Sequence, residues 1–199
     1  FRTELVDSTY KASRAATRKP IAFTAVRERL EASYRVVKFA GLEADDVLGI
    51  LATKGSGDPK DRRIICSMDK DMKQIPGWLW DTKDLKLISE VDADRFHLLQ
   101  TLTGDTTDGY KGCPGIGPAK AEKIIQDAID RNAHLSGTVA HCVWPAVVTA
   151  YEKAGLTEDD ALRQARLARI LRASDWDFTK KEVKLWQPPT LSTPHVALS

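Results

Sequence analysis

The spacing of apolar and polar residues predicts short strands alternating with amphipathic helices. Residues 34–39 (YRVVKF) and 62–66 (RRIIC) are short apolar runs typical of buried strands. Between them, residues 43–53 begin with acidic side chains and continue with apolar residues at helical spacing. Because two strands joined by a helix favour a right-handed β-α-β unit, we expect an α/β fold with a mostly parallel sheet and flanking helices.

The second half of the chain has a mainly helical pattern. Residues 78–88 fit a strand pair or hairpin, and residues 92–102 fit a helix that Asp92 could cap. A glycine-rich loop, GCPGIG at 112–117, separates these elements from three further helical stretches. The stretches cover 119–129, 145–153 and 158–172, with Thr157 as the cap of the last and Asp160 as its partner.

These patterns suggest how the chain is organised. We expect an α/β part over residues 1–102, a helical subdomain over 103–187 and a disordered tail over 188–199. The first 20 residues are basic and end at a proline, so residues 1–20 are expected to form a mobile basic segment.

Charge is distributed unevenly along the chain. The formal net charge is +2, but residues 1–40 carry nine Lys or Arg against four Asp or Glu, whereas residues 41–110 carry nine against fourteen. An acidic middle with basic flanks suits a metal-dependent enzyme that acts on a polyanion, because metals neutralise carboxylates while the flanks hold phosphates. Uneven surface charge without function gives the same pattern, so charge alone leaves both interpretations open.

Composition argues against several classes of protein. No stretch approaches the roughly 20 apolar residues that span a bilayer, and the N-terminal segment lacks an apolar signal core. The three cysteines form no CxxC pair, which indicates reduced thiols in a cytoplasmic protein, with Cys66 in the core. The four histidines lack the paired spacing of a zinc site, and the five tryptophans indicate core or interface anchors.

Three acidic groups are candidates for chemistry. GLEADD contains Glu43, Asp45 and Asp46, SMDKD contains Asp69 and Asp71, and GDTTDG contains Asp105 and Asp108. The first group opens a predicted helix and the second follows a predicted strand, where ligands bind in parallel sheets. Each group alone could equally be an ordinary helix start, turn or acidic loop.

Seven carboxylates in one pocket would raise one another's pKa and oppose folding unless cations neutralised them. Carboxylate oxygens without His or Cys favour Mg²⁺ or Mn²⁺. Two such ions about 3.5–4 Å apart are the usual device for phosphodiester hydrolysis, one generating the attacking hydroxide and the other stabilising the leaving oxygen.

The GCPGIG loop is a candidate for contact with a nucleic-acid backbone. Gly115 and Gly117 would let the main chain approach phosphates, and the following helix would direct free N–H groups at them. Lys111, Lys120 and Lys123 lie beside the loop. A plain turn between helices is the alternative.

The order of YKASR, GLEADD, SMDKD, GDTTDG and GCPGIG resembles the 5′-nuclease superfamily of flap endonucleases and bacterial polymerase 5′-nuclease domains. The similarity is greatest to the exonucleases of T-odd type podophages, and RTELVDSTYKASR and LTEDDALRQARLARILR extend it over nearly the whole chain. The resemblance implies a resolvase-like α/β nuclease domain and a helical subdomain that contains a helix-three-turn-helix.

The resemblance also implies roles for individual residues. All seven acidic residues would be metal ligands, direct or through water, with Asp46 and Asp69 also catalytic. Lys11 and Arg14 would lie in a helical arch at the scissile phosphate, with Arg18 nearby on the DNA. The loop 112–117 would grip duplex DNA, with Lys111, Gly115, Gly117 and Lys120 in contact and with a potassium ion held by its carbonyl groups.

The implied activity is metal-dependent 5′-to-3′ hydrolysis of duplex DNA, and of RNA in RNA·DNA hybrids. Gly109 after Asp108 departs from the family's usual Asp-Asn. Two further Asp ligands would lie upstream of Phe1, so the chain is expected to be a fragment. A 5′-flap endonuclease, a DNA-binding module without catalysis and a toxin-type ribonuclease are the alternatives.

Overall fold

The computed structural model describes residues 1–12, 18–55, 62–132 and 138–189. Within these ranges the helices and strands are α1 (Phe23–Ser33), α2 (Ala44–Thr53), β1 (Ile64–Cys66), β2 (Gly77–Trp80), β3 (Leu85–Ile88), α3 (Glu90–Thr103), α4 (Pro118–Arg131), α5 (Val139–Lys153), α6 (Glu158–Ala168), β4 (Trp176–Asp177) and β5 (Glu182–Val183). Short single turns at Arg2–Val6, Lys70–Gln74 and Ala173–Asp175 complete the order.

The described strands form a small mixed sheet with the order β1-β2-β3. Strand β1 pairs parallel to β2, with Ile65 opposite Leu79, and β3 returns antiparallel to β2 as the predicted hairpin. Strands β4 and β5 form a separate antiparallel pair. The prediction of an α/β fold is confirmed, but a mostly parallel sheet is not what the described strands form.

The segment 34–39 is not a strand, contrary to the prediction. It has no regular secondary structure, and none of the described strands pairs with it. Val36 and Val37 are 46% and 40% exposed, while Phe39 stacks on Trp176 with ring centroids 5.3 Å apart. β-Branched and aromatic residues favour strands because they fit a half-buried pleated surface. A segment of such residues that has no neighbouring strand to pair with therefore stays irregular. The predicted β-α-β unit is therefore wrong for the described chain.

Helix boundaries follow local capping chemistry where the sequence offers two choices. Ser89, rather than Asp92, caps α3, and its hydroxyl accepts a hydrogen bond from the Asp92 backbone N–H. Thr138 caps α5, which starts before the predicted Pro145 and keeps that proline inside the helix. Thr157 and Asp160 form the predicted capping box of α6.

The largest apolar core lies among α3, α4, α5 and α6, where buried side chains of all four helices meet. Its members include Leu98, Leu102, Ile125, Val143, Val147, Tyr151, Ala161 and Ala165. Cys66, expected in the core, is exposed, because β1 turns only Ile65 inward. In the described part of the chain, no helix is long and apolar enough to cross a membrane.

Two glycines close the loop that carries the third acidic group. Gly104 and Gly112 have φ values of 68° and 66°, and a Cβ on Gly104 would lie 2.6 Å from the Gly112 nitrogen. The close approach lets the Cys113 N–H donate to the Leu102 carbonyl at 2.8 Å. Left-handed backbone and backbone contact together leave no room for a side chain.

We therefore expect Gly104→Ala to lower the free energy of unfolding by about 2–3 kcal/mol, because it combines strained φ with a backbone clash. Urea unfolding measures the loss. Gly55→Ala is the control, since a Cβ there meets nothing within 4 Å. Equal stability of the two variants would contradict this account of the loop.

Candidate active site

A buried ion pair anchors the N-terminal turn to α2. The Arg2 guanidinium, 5% exposed, donates to both carboxylate oxygens of Asp46 at 2.8 and 2.9 Å. Its Nε donates to the Leu167 carbonyl at 3.0 Å, and Nη2 also donates to the Arg169 carbonyl. Although burial by itself lowers the pKa of Arg2, the hydrogen bond and charge of Asp46 raise it above its ordinary value. The first residues of the described chain are thus packed, not mobile.

Asp46 itself is fully buried. Besides binding Arg2, it accepts hydrogen bonds from the Leu171 N–H at 3.1 Å and from the Glu43 N–H at 3.3 Å. Because both oxygens are engaged, a metal ion could reach Asp46 in this structure only by displacing Arg2. Through these contacts Asp46 fixes the start of α2, where Glu43 and Asp45 also lie.

Lys11 links the first acidic group to the third. Its ammonium lies 2.7 Å from Glu43 Oε1 and 3.5 Å from Asp108 Oδ2. The Lys11 backbone has φ 55° and donates its N–H to the Asp108 carbonyl at 3.1 Å. The Tyr10 hydroxyl lies within 3.4 Å of both carboxylates. Two residues of the N-terminal segment therefore join Glu43 to Asp108.

The second acidic group follows β1. Asp69 accepts a hydrogen bond from the Asp71 N–H at 2.9 Å and caps the turn Lys70–Gln74. Asp71 accepts from the Gln100 side-chain amide at 2.7 Å, and Gln100 in turn accepts from Gln74. This amide relay fixes the Asp71 carboxylate against α3.

Asp105 is held by its own loop and by the second group. Its Oδ1 accepts from the Thr107 N–H at 2.8 Å, and its Oδ2 lies 3.0 Å from the Lys70 ammonium. Burial alone would raise the pKa of Asp105, but the hydrogen bond from Lys70 and those from the loop lower it. Lys70 thus joins the second acidic group to the third.

The carboxylates differ in how well they are neutralised. Burial would raise the pKa of Glu43, yet the Lys11 hydrogen bond and the Arg2 charge lower it. Burial raises the pKa of Asp45, helped by the negative charges of Asp69 and Glu43. Burial and Asp69 likewise raise the pKa of Asp71, against the hydrogen bond from Gln100. At Asp45 and Asp71, burial and neighbouring negative charges outweigh the nearby groups that lower the pKa.

A narrow cleft collects members of all three acidic groups. Glu43, Asp45, Asp71 and Asp108 line it together with Arg2, Tyr10, Lys11, Gln74 and Tyr110. In the described ranges, no three acidic, His or Cys side chains are spaced to hold a metal ion. Lys11 and Lys70 instead bridge carboxylates of different groups. The donors are hard oxygens, the kind of ligand that Mg²⁺ and Mn²⁺ prefer.

The unequal neutralisation predicts that Asp45→Asn stabilises the chain without metal. A carboxyl whose folded pKa is raised disfavours the folded state above that pKa, and the penalty disappears once pH falls below the unfolded value of about 3.9. We expect a melting temperature about 1–3 °C higher near pH 7.5 in EDTA, a small gain because solvent partly screens the site.

Thermal unfolding of Asp45→Asn and of the control Asp159→Asn, an exposed residue of α6, measures this effect. The gain should shrink near pH 4.5, because protonation neutralises Asp45. Added Mg²⁺ should shrink it as well if the ion binds at Asp45. A stability gain in EDTA that is unchanged at low pH would contradict the electrostatic cause.

Apart from Lys11, the candidate DNA-contact residues that the structure describes do not line this cleft. Lys111, Gly115, Gly117 and Lys120 are exposed around the loop before α4, with Gly117 as the N-cap. Gly115 has φ 72°, and a Cβ on Gly115 or Gly117 would meet nothing within 4 Å. Arg18 is exposed, and Arg14 lies outside the described residues. The loop thus offers open backbone, with positive charge beside it.

Sequence reasoning missed four residues that organise the site. Arg2, Tyr10, Gln74 and Gln100 are buried polar side chains whose partners are distant in sequence. The basic run containing Arg2 indicated only surface charge, and single glutamines carry no motif. Only the adjacency of Tyr10 and Lys11 in YKASR offered a signal.

Comparison with known proteins places the chain in a family. Residues 1–96 match the model described as 5′-3′ exonuclease, N-terminal resolvase-like domain. The chain is 33% identical to the exodeoxyribonuclease of Enterobacteria phage T3 and to the exonuclease of Escherichia phage T7, over 94% of its length and 70% of theirs.

The fold is similar to that of the flap endonuclease of bacteriophage T5, crystallised with DNA and metal ions. The TM-score is 0.54 at 19% identity, over 84% of this chain and 68% of the other. At this identity the likeness concerns the fold alone. The sequence matches to the phage T3 and T7 proteins, in contrast, extend over most of this chain and of each relative. On the strength of those sequence matches, the chain belongs to the 5′-3′ exonuclease family.

Proposed function

We propose that this protein hydrolyses phosphodiester bonds of duplex DNA from 5′ ends as a divalent-metal-dependent 5′-to-3′ exonuclease. The observation that carries the proposal is that members of all three acidic groups line one cleft. Lys11 and Lys70 bridge carboxylates of different groups. A binding-only protein would gain nothing from uncompensated Asp45 and Asp71 beside a polyanion. The exonucleases of phages T3 and T7 support the same activity.

Six carboxylates would hold divalent ions, Mg²⁺ or Mn²⁺, directly or through water. They are Glu43, Asp45, Asp69, Asp71, Asp105 and Asp108. When bound, such ions supply Lewis acidity and a hydroxide at neutral pH. Asp46 would act as a positioning residue, because its ion pair with Arg2 orients the start of α2.

Lys11 would bind the scissile phosphate. Its main chain is tied to Asp108, so the ammonium can leave Glu43 without losing its place at the cleft. A preorganised cation stabilises negative charge that develops on the phosphate oxygens. Arg14 and Arg18 would extend this basic segment, residues 8–20, along the DNA.

The loop 112–117 would grip the duplex backbone in a helix-three-turn-helix, within a helical DNA-binding subdomain spanning residues 103–187. Open glycines at 115 and 117 and the exposed Lys111 and Lys120 support contact with phosphates. Carbonyl groups of this loop would hold a potassium ion. Such contacts are independent of base sequence and weaken steeply with salt.

A 5′-flap endonuclease is the second candidate, favoured by the structural likeness to the phage T5 flap endonuclease. RNA in RNA·DNA hybrids is a further substrate that we propose, with the reaction taking place in the cytoplasm of a bacterial host.

The exonuclease and the flap endonuclease differ in product, since an exonuclease shortens a blunt duplex stepwise whereas a flap enzyme releases one oligonucleotide.

The test is product analysis with 5′-labelled blunt duplex, 5′-flap and RNA·DNA substrates, using the full-length natural protein. Mg²⁺ should produce mononucleotides or short oligonucleotides from the blunt duplex, and EDTA should abolish release. Flap cleavage with an intact blunt duplex would favour the second candidate. Binding without cleavage in Mg²⁺ or Mn²⁺ would overturn the enzyme proposal.

A further inference from the structure

An aromatic cleft distinct from the acidic site opens between the segment 34–40 and the β4–β5 hairpin. It has a volume of about 470 Å³ and is lined by Lys38, Phe39, Ala40, Trp176, Phe178 and Lys181. Volumes of this size are typical of sites for small molecules or nucleobases. None of the acidic residues assigned to metal binding lines this cleft.

The aromatic rings give the cleft a stacking surface. Phe39 and Trp176 are stacked at an interplanar angle of 20°, so each ring restricts the movement of the other. Phe178 is 41% exposed, although it is a large apolar side chain in the turn between two strands. A rigid aromatic pair beside an exposed ring can accept the face of a planar base.

Lysines surround these rings. The Lys54 ammonium lies 4.4 Å from the centre of the Phe178 ring, and Lys38 and Lys181 lie on the cleft wall. Lys38 is 64% exposed and pairs with Glu31 at 2.5 Å, an exposed ion pair of the kind that contributes little. The nearby Asp177 carboxylate accepts hydrogen bonds from the Thr179 and Lys180 N–H groups of its own turn. The cleft therefore combines aromatic surface with cations suited to phosphates.

We propose that this cleft binds single-stranded DNA, with a base stacked on Phe178 and adjacent phosphates at Lys181 and Lys38. Charge complementarity selects this occupant, because Lys38 and Lys181 on the cleft wall attract a polyanion more strongly than an apolar peptide. This proposal rests on the proposed exonuclease function, because that reaction would supply the ligand. Removal of nucleotides from one 5′ end leaves the complementary strand single-stranded. The cleft would retain that strand while the acidic site cuts.

The experiment measures binding in EDTA, so that no cutting occurs, by fluorescence anisotropy of a labelled single strand of about 12 nucleotides. The variant Phe178→Ala with Lys181→Ala should bind at least about 10-fold more weakly than the natural protein. Lys181→Ala alone should reduce the slope of log affinity against log salt by about 0.7.

The matched control is Trp80→Ala with Lys86→Ala on the β2–β3 hairpin, which also removes one exposed ring and one lysine. Trp80 is 42% exposed, close to the 41% of Phe178, and Lys86 is exposed, as Lys181 is. An equal loss of affinity in this control, or an unchanged affinity of the cleft variant, would overturn the proposal.

Cleavage assays separate this proposal from the proposed function. The cleft variant should still cut short duplexes in Mg²⁺, while Asp69→Asn should still bind the single strand. A natural protein that binds single strands through the cleft yet never cuts refutes only the nuclease proposal. A protein that cuts but shows no cleft-dependent binding refutes only the cleft proposal.

Discussion

We expect Asp69→Asn to lower the rate of Mg²⁺-dependent nucleotide release by about 100-fold or more, while duplex binding changes by less than about threefold. Asp69 lies on the turn after β1, exposed at the acidic site. An asparagine keeps the oxygen that accepts the Asp71 N–H at 2.9 Å, so the turn should persist. What the variant lacks is a negative oxygen for a divalent ion.

Release of label from a 5′-labelled duplex gives the rate, and a filter-binding assay in EDTA gives the affinity. Asp159→Asn is the matched control, because it removes one exposed carboxylate from the first turn of α6. Activity of Asp69→Asn within about threefold of the natural protein would contradict the proposed role of Asp69 as a metal ligand, since loss of a ligand costs far more.

We expect Arg2→Ala to lower the free energy of unfolding by about 3–5 kcal/mol, because it leaves the fully buried Asp46 carboxylate without its partner. The guanidinium also satisfies the Leu167 and Arg169 carbonyls, so several buried acceptors lose a donor together. For a chain of this size the melting temperature should fall by about 10 °C.

Urea unfolding measures this change, with Arg35→Ala, an exposed arginine, as the control. Arg2→Met combined with Asp46→Leu should recover most of the loss, because it removes both charges and keeps apolar volume. A double variant as unstable as Arg2→Ala would show that the cost comes from the unsatisfied carbonyls and not from the buried charge.

Local chemistry accounts for the parts that could be predicted. Helix α2, the β2–β3 hairpin and α4 follow from periodicity and turn residues within each segment. The capping box at Thr157 depends on residues three positions apart, so it was also readable. The acidic groups were visible as motifs, and their order indicated the family that the comparisons then identified.

Contacts between distant segments account for what was missed. Arg2 looked like one of several surface cations, but its partner Asp46 lies 44 residues away. Lys11 meets Asp108 across 97 positions, and Gln74 meets Gln100 across 26. No local pattern records which basic residue will be buried, because burial depends on what packs over it.

The sequence by itself determined α2, α4, the capping box of α6, the β2–β3 hairpin, the three acidic groups and the family to which the chain belongs. Only the tertiary structure decided that 34–39 is unpaired, that Asp46 supports α2 through Arg2 and that Lys11 and Lys70 bridge the carboxylates. The physical reason is range: propensity and capping act within a few residues, whereas strand pairing and ion-pair burial need segments that folding brings together.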